Sequence, residues 1–242
     1  MPRHAVDDAL AAREGSDAEV LERLLAARHS CRAFQDRQVD RATIERILGM
    51  AQRTASWCNA QPWQLVVTSG AATERFRQAY LAFAGANPPQ APQPDHPFPR
   101  EYRGVYRQRR LESGLALYRS VGVVRDDLAG RTRQEMENFR FFGAPHVAIV
   151  TSDEALGVYG AIDCGAWVAN FMLAAQSLGV ATIAQGALAL HSGFVRRHFG
   201  LDDGRRVICG LSFGYEDTRH PANGFRTGRA PLEEVTLWLD EA

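Results

Sequence analysis

The sequence predicts an α+β protein, and three observations carry that expectation. Segments with helical periodicity outnumber those that read as strands. The strand-like runs are short and few, enough for a small sheet only. No repeat of 20–50 residues is visible.

The elements follow in order. Ser16 with Glu19 forms a capping box that opens a helix to about Ala27, with Val20, Leu21, Leu24 and Leu25 on one side. A second helix begins at Asp40 and carries Ile44, Ile47, Leu48 and Met50. The segment TASWCNAQPW follows, and then a strand at Leu65–Thr68. A third helix runs from about Ala72 to Ala84 and stops at NPPQAPQPDHPFP, which is incompatible with helix or central strand. Linker is the usual reading of such composition. Both flanks are helical here, which favours an excursion or lid at about 87–110 within one domain spanning 1–242. Arg- and aromatic-rich helices are expected around 101–119 and 126–141.

HVAIV at 146–150 reads as a second strand. The apolar run after it, VYGAIDCGAWVANFMLAAQSLGV, has the length of a membrane span, but Asp163, Asn170 and Gln176 interrupt it. Small residues at Gly160, Ala161, Gly165 and Ala169 suit close helix packing, so this is read as a buried central helix, possible at a subunit interface. Strands near 180–184 and 207–213 complete the sheet, with VTLWL at 235–239 as a candidate fifth.

Composition excludes several classes. The chain has 242 residues and a formal net charge of +0, so bulk electrostatics favour neither nucleic acid nor a membrane surface. All 28 basic residues are arginine. Without lysine there is no internal Schiff base for pyridoxal phosphate and no ordinary P-loop. The four cysteines are scattered and the seven histidines lack paired-ligand spacing, so no metal site is expected. The N-terminal stretch carries acids and lacks an apolar core, which predicts a cytoplasmic address.

Three polar clusters stand out. Arg28-His29-Ser30-Cys31-Arg32 follows the first helix, and in extended chain Arg28, Ser30 and Arg32 share a side. Two guanidiniums flanking a hydroxyl suit a phosphate dianion; arginine at a helix C-terminus is also ordinary dipole compensation. Ser56, Trp57 and Asn59 offer polar groups and a ring wall for a heteroaromatic ligand, or simply end a helix before Pro62. NGFRTGRAPLEEV brings Arg226 and Arg229, either a second arm around a phosphate or a solvated loop. No G-x-G-x-x-G follows a strand, so reactive chemistry is expected from a bound cofactor, with no catalytic side chain assigned.

In this order the clusters resemble the FMN-dependent nitroreductase family. RHSCRAF, SWCNAQPW, FGAPHVAIV, DCGAWVANFMLAAQSLGV, AQGAL, RVICGLSFGY and FRTGRAPLEEV all resemble its motifs, over about residues 20 to 239. Ala55 stands where the family pattern has proline. The resemblance implies a small, mostly antiparallel sheet surrounded by helices in an intertwined homodimer, with extended segments exchanged and FMN at the interface. By position, Arg28, Ser30 and Arg32 would hold the phosphate and ribityl region, with His29 alongside and Arg229 and Arg226 reaching in. Ser56, Trp57 and Asn59 would come from the partner subunit. Gln185 and Gly186 would offer backbone N–H groups near the pyrimidine edge or N5.

The implied activity is ping-pong transfer of hydride from NAD(P)H, through the flavin, to nitroaromatic, quinone or similar small acceptors. Reductive dehalogenation, enoyl reduction or flavin-dependent dehydrogenation on the same fold is the alternative. A non-catalytic anion-binding dimer is the rival from another class.

Overall fold

The first two helices start where their caps dictate. In the computed structural model, which describes residues 15–86 and 90–239, Ser16 accepts from the Glu19 N–H while the Glu19 carboxylate accepts from the Ser16 N–H. This capping box opens α1 (Asp17–Ala27). Asp40 accepts from the Thr43 N–H at 2.8 Å and opens α2 (Arg41–Ala51).

Strand β1 (Gln64–Ser69) leads to α3 (Ala71–Ala84), and after the proline-rich stretch come α4 (Gly104–Ser120) and α5 (Leu128–Met136). Then follow β2 (His146–Asp153), the long α6 (Gly157–Ser177), β3 (Ala181–Gln185), α7 (Ser192–Phe199) and β4 (Arg205–Gly214). The four strands form one sheet in the order β1-β2-β4-β3, every neighbouring pair antiparallel. The protein is therefore α+β, as its sequence predicts.

Why β2 sits in the middle is visible in its composition. His146 through Ser152 are all buried, because both faces of the strand are covered. Val147 and Ile149 join Phe76, Tyr80, Phe141 and Leu188 in one core. Ala148 and Val150 point the other way, to Ile44, Ile47, Trp167 and Phe171. Full burial of side chains of this size is worth about 1.5–3 kcal/mol each. His146 completes the packing: its Nε2 accepts from the Val39 N–H at 2.9 Å, and its ring stacks on Phe213 at 5.1 Å.

Helix α6 is the element whose length and apolarity match a membrane span. Its packing gives another reason for them. Cys164, Trp167 and Phe171 are fully buried against the sheet, and Gly160 leaves room for the Ser152 hydroxyl. Its opposite side leaves Val158, Tyr159 and Ile162 exposed.

Three expectations need correction, and one helix is added. The expected 101–119 helix begins at Gly104, whose positive φ of 50° marks the entry. The expected 126–141 helix ends at Met136, because Phe141 and Phe142 adopt left-handed backbone (φ 58° and 53°) in the turn before β2. Residues 235–239 form no strand: an apolar run becomes a strand only with a sheet edge to bond, and Leu237, Trp238 and Leu239 lie exposed instead. Helix α7 was not foreseen. It is short, and it stops at Gly200 in the left-handed conformation that helix ends favour.

The proline-rich stretch, of which 87–89 lie outside the described residues, is tied to the body at its middle. Gln93 N–H donates to Leu190 O at 2.8 Å and Asp95 N–H to Ser192 Oγ at 3.0 Å. The buried Asp95 carboxylate accepts from the Val207 N–H at 2.8 Å and pairs with Arg196 and Arg206.

Candidate functional site

Arginines from the two ends of the chain meet at one cavity. Arg28, His29, Ser30 and Arg32 line it from the segment after α1, and Phe225, Arg226, Thr227 and Arg229 from the C-terminal segment. Its volume is about 300 Å³, and it adjoins a larger, more open cavity of about 1000 Å³ between α4 and residues 226–235. Six of the eleven residues singled out by sequence are thus brought together.

The first segment is positioned by the sheet. Strand β3 is an edge strand, and Ser30 bridges to Thr182 on its free side, with Cys31 N–H donating to Thr182 O at 3.0 Å. Three residues along β3, about 10 Å at strand rise, lie Gln185 and the turn at Gly186. The arginine cluster and that turn are therefore carried on one rigid strand.

The electrostatics of the cavity are one-sided. Among the described residues, none of Arg28, Arg32, Arg226 and Arg229 forms an ion pair with a carboxylate. Burial, and then the nearby Arg229, push the Arg28 guanidinium below its ordinary value. Burial does the same to Arg32. Their hydrogen bonds go to neutral oxygens, Arg32 to Ser30 O, Arg226 to Asn223 O, and Arg229 to Gly228 O and the Thr227 hydroxyl. Clustered cations without a counter-charge are costly, and an anion with several acceptor oxygens would relieve that cost.

His29 lines the cavity with both ring nitrogens engaged elsewhere, Nδ1 with Ala27 O at 3.1 Å and Nε2 with Glu216 Oε1 at 3.0 Å. Its ring is held as a strut between the segment after α1 and the chain just beyond β4.

Gln185 is buried, and its side chain turns inward: Nε2 donates to Asn138 O at 3.0 Å and Oε1 accepts from Ser212 Oγ. What this turn can offer a ligand is therefore main chain. Phe98, from the proline-rich stretch, lies over Gly186, where an added Cβ would meet its ring at 3.4 Å.

Ser56, Trp57 and Asn59 do not join this cavity within one chain. They form a tight turn with three non-glycine residues at positive φ: Cys58 at 51°, Asn59 at 55° and Gln61 at 47°. Such backbone costs of order 1 kcal/mol or more per residue and collects at ligand sites. A polar chain holds it: Trp63 Nε1 donates to Gln52, Gln52 to Gln61, and Gln61 to Asn59 Oδ1. Ser56 Oγ accepts from the Gln61 N–H at 2.9 Å. Trp57 is exposed, its N–H bonded to Asp163 and its ring 5.2 Å from that of Tyr159. A cavity of about 220 Å³ lies beside Trp57, Tyr159 and Asp163.

Sequence reading missed Asn223, Glu216, Asp163 and Ser113. Asn223 and Glu216 fix the arginine segments, and Ser113 lines their cavity. The signals were thin: an asparagine in a P-A-N turn and an acid after a strand are commonplace. Among the described residues no group of three His, Cys, Asp or Glu is placed to hold a metal.

Comparison with known proteins places the chain in a family. The pattern of the Nitroreductase family matches residues 25–215. Nitroreductase NfnB of Mycolicibacterium smegmatis is 34% identical over 221 residues, 90% of this chain and 92% of that protein. Chloronitrobenzene nitroreductase of Comamonas testosteroni is 34% identical over 220 residues, 90% of this chain and 96% of that protein. The crystal structure of the FMN-dependent nitroreductase NfnB from Mycobacterium smegmatis in complex with NADPH superposes with a TM-score of 0.88 at 32% identity, covering 93% of this chain and all (100%) of that one. The chain belongs to the nitroreductase family.

Proposed function

We propose that this protein is an FMN-dependent nitroreductase that uses NAD(P)H to reduce nitroaromatic compounds. The observation that carries the reading is the cavity at which Arg28, Arg32, Arg226 and Arg229 converge with no carboxylate among them. Its donor set of guanidiniums and the Ser30 and Thr227 hydroxyls fits a phosphate monoester. Support comes from the relatives, one described as FMN-dependent and bound to NADPH, another as acting on chloronitrobenzene.

When bound, FMN supplies the two-electron chemistry between donor and acceptor. The chain's own residues bind and orient. The four arginines would hold the phosphate, with the Ser30 hydroxyl beside them in the same cavity. The Gly186 turn brings main-chain N–H groups to the other end of β3, where such dipoles favour negative charge. No side chain is assigned as obligatory acid or base.

Ser56, Trp57 and Asn59 act across a homodimer in this reading, completing the site of the partner. Three features support it: the strained turn, the exposed Val158, Tyr159 and Ile162 beside it, and the unpaired apolar run at 237–239. Analytical ultracentrifugation giving the mass of one chain contradicts this part.

The test of the whole reading is chemical. Purified protein is expected to be yellow and to release FMN on acid denaturation. A colourless protein that fails to take up added FMN contradicts it.

A further inference from the structure

Asn223 is a buried side chain, 4% exposed, that touches neither arginine cavity. It sits at the end of the short turn Pro221–Asn223, between β4 and the second arginine segment. An asparagine amide offers two donor hydrogens and one acceptor oxygen. All three functions are engaged. Oδ1 accepts from the Arg32 N–H at 2.7 Å. Nδ2 donates to Ala33 O at 2.9 Å and to Asp217 O at 3.0 Å. The main-chain carbonyl of the same residue accepts from Arg226 Nη1 at 2.7 Å. Its own N–H donates to His220 O at 3.0 Å.

One residue therefore grips both arginine segments, the first through its side chain and the second through its backbone. Between the arginine-bearing stretches themselves, Phe225 lies 5.5 Å under the Arg32 guanidinium. The other ties lie upstream of Asn223: Glu216 holds His29, Asp217 N–H donates to Ala33 O, and Gln35 N–H donates to Tyr215 O. Four guanidiniums that repel one another need an internal support to stay convergent before a ligand arrives. Support of this kind decides how well a site is preorganised.

We infer that Asn223 is a positioning residue for the cofactor phosphate: its amide sets the spacing between the Arg28–Arg32 and Arg226–Arg229 segments without touching the ligand. Removing the amide leaves the Arg32 N–H without its buried acceptor, while the Ala33 and Asp217 carbonyls lose one donor and keep the Asp217 and His220 N–H groups. The segments then settle apart and the phosphate meets fewer guanidiniums at once. The ring end of the site, carried by β3, does not depend on this residue.

The inference rests on the FMN reading, and one experiment separates the two. Affinities of the apoprotein for FMN and for riboflavin, which lacks the phosphate, are measured by flavin fluorescence for the natural chain, N223L and N223D. N223D keeps the acceptor for Arg32 and serves where N223L does not fold. In the natural chain FMN binds far more tightly than riboflavin. In the variants the FMN affinity falls by about 10-fold or more, while that for riboflavin changes by less than about 3-fold. A merely structural role would weaken both flavins together, and that result overturns the inference, as does an unchanged FMN affinity. A natural chain that does not prefer FMN over riboflavin contradicts the phosphate site itself.

Discussion

Arg28 and Arg229, from opposite ends of the chain, face the same cavity, and the charge of Arg229 helps to push the Arg28 guanidinium below its ordinary value. Two cations held this way destabilise the empty site and stabilise an anion in it. Replacing either by alanine is expected to weaken FMN by roughly 10- to 150-fold, from a charge-assisted hydrogen bond of about 1.5–3 kcal/mol. The apoprotein is expected to melt no lower than the natural chain, since repulsion is removed. Fluorescence titration and thermal denaturation of the apoprotein check the two halves. Loss of FMN affinity together with a large drop in melting temperature would point to a structural role instead.

Asp95 anchors the proline-rich stretch through a buried carboxylate shared between Arg196, Arg206 and the Val207 N–H. Removing one partner of such a group leaves the others uncompensated, at a cost of about 3 kcal/mol. Asp95→Ala is expected to lower stability by that order and to speed proteolysis between residues 90 and 103. Unchanged cleavage there would show that the anchor does not restrain the segment.

The turn at 58–61 holds three residues in left-handed backbone, with Cys58 at φ 51°. Glycine adopts this conformation without a Cβ penalty. Cys58→Gly is expected to leave stability unchanged or raise it by up to about 1 kcal/mol, read from denaturant midpoints. A loss of more than that would mean the cysteine side chain itself supports the turn.

Local signals were legible in the sequence and long-range ones were not. Ser16, Glu19 and Asp40 announce their helices because capping is decided within four residues. Arg28, Ser30 and Arg32 were found by alternation, which the bridge from Ser30 to Thr182 preserves. Asn223 opens the quoted NGFRTGR stretch, but its role was not legible because it is defined by Arg32 and Ala33, far away in sequence. The run at 235–239 misled for the same reason, since strand formation depends on a partner edge that local sequence cannot supply. Ser56, Trp57 and Asn59 were found as a motif, yet one chain does not join them to the arginine cavity.

Acid is expected to destabilise the fold through its buried histidines. Burial lowers the His146 imidazole from its ordinary 6.5, and its Nε2 accepts from Val39, a bond that needs the neutral ring. The unfolded chain then binds the proton more readily. The stability this group contributes is intact above about 6.5 and is lost as pH falls below it. Burial lowers His191 and His198 in the same direction. Denaturant midpoints at pH 7.5 and 5.0 should fall with acid, and less steeply in His146→Asn. A midpoint independent of pH across that range would contradict the assignment.

The central claim is that this chain carries electrons from a nicotinamide to a nitro group through FMN held at the arginine cavity. Anaerobic absorbance of the FMN-loaded protein tests it most directly. The flavin band is expected to bleach on adding NADPH or NADH and to return when a nitroaromatic such as chloronitrobenzene is added. A band that neither nicotinamide bleaches, or that stays bleached with the nitroaromatic present, would contradict the account.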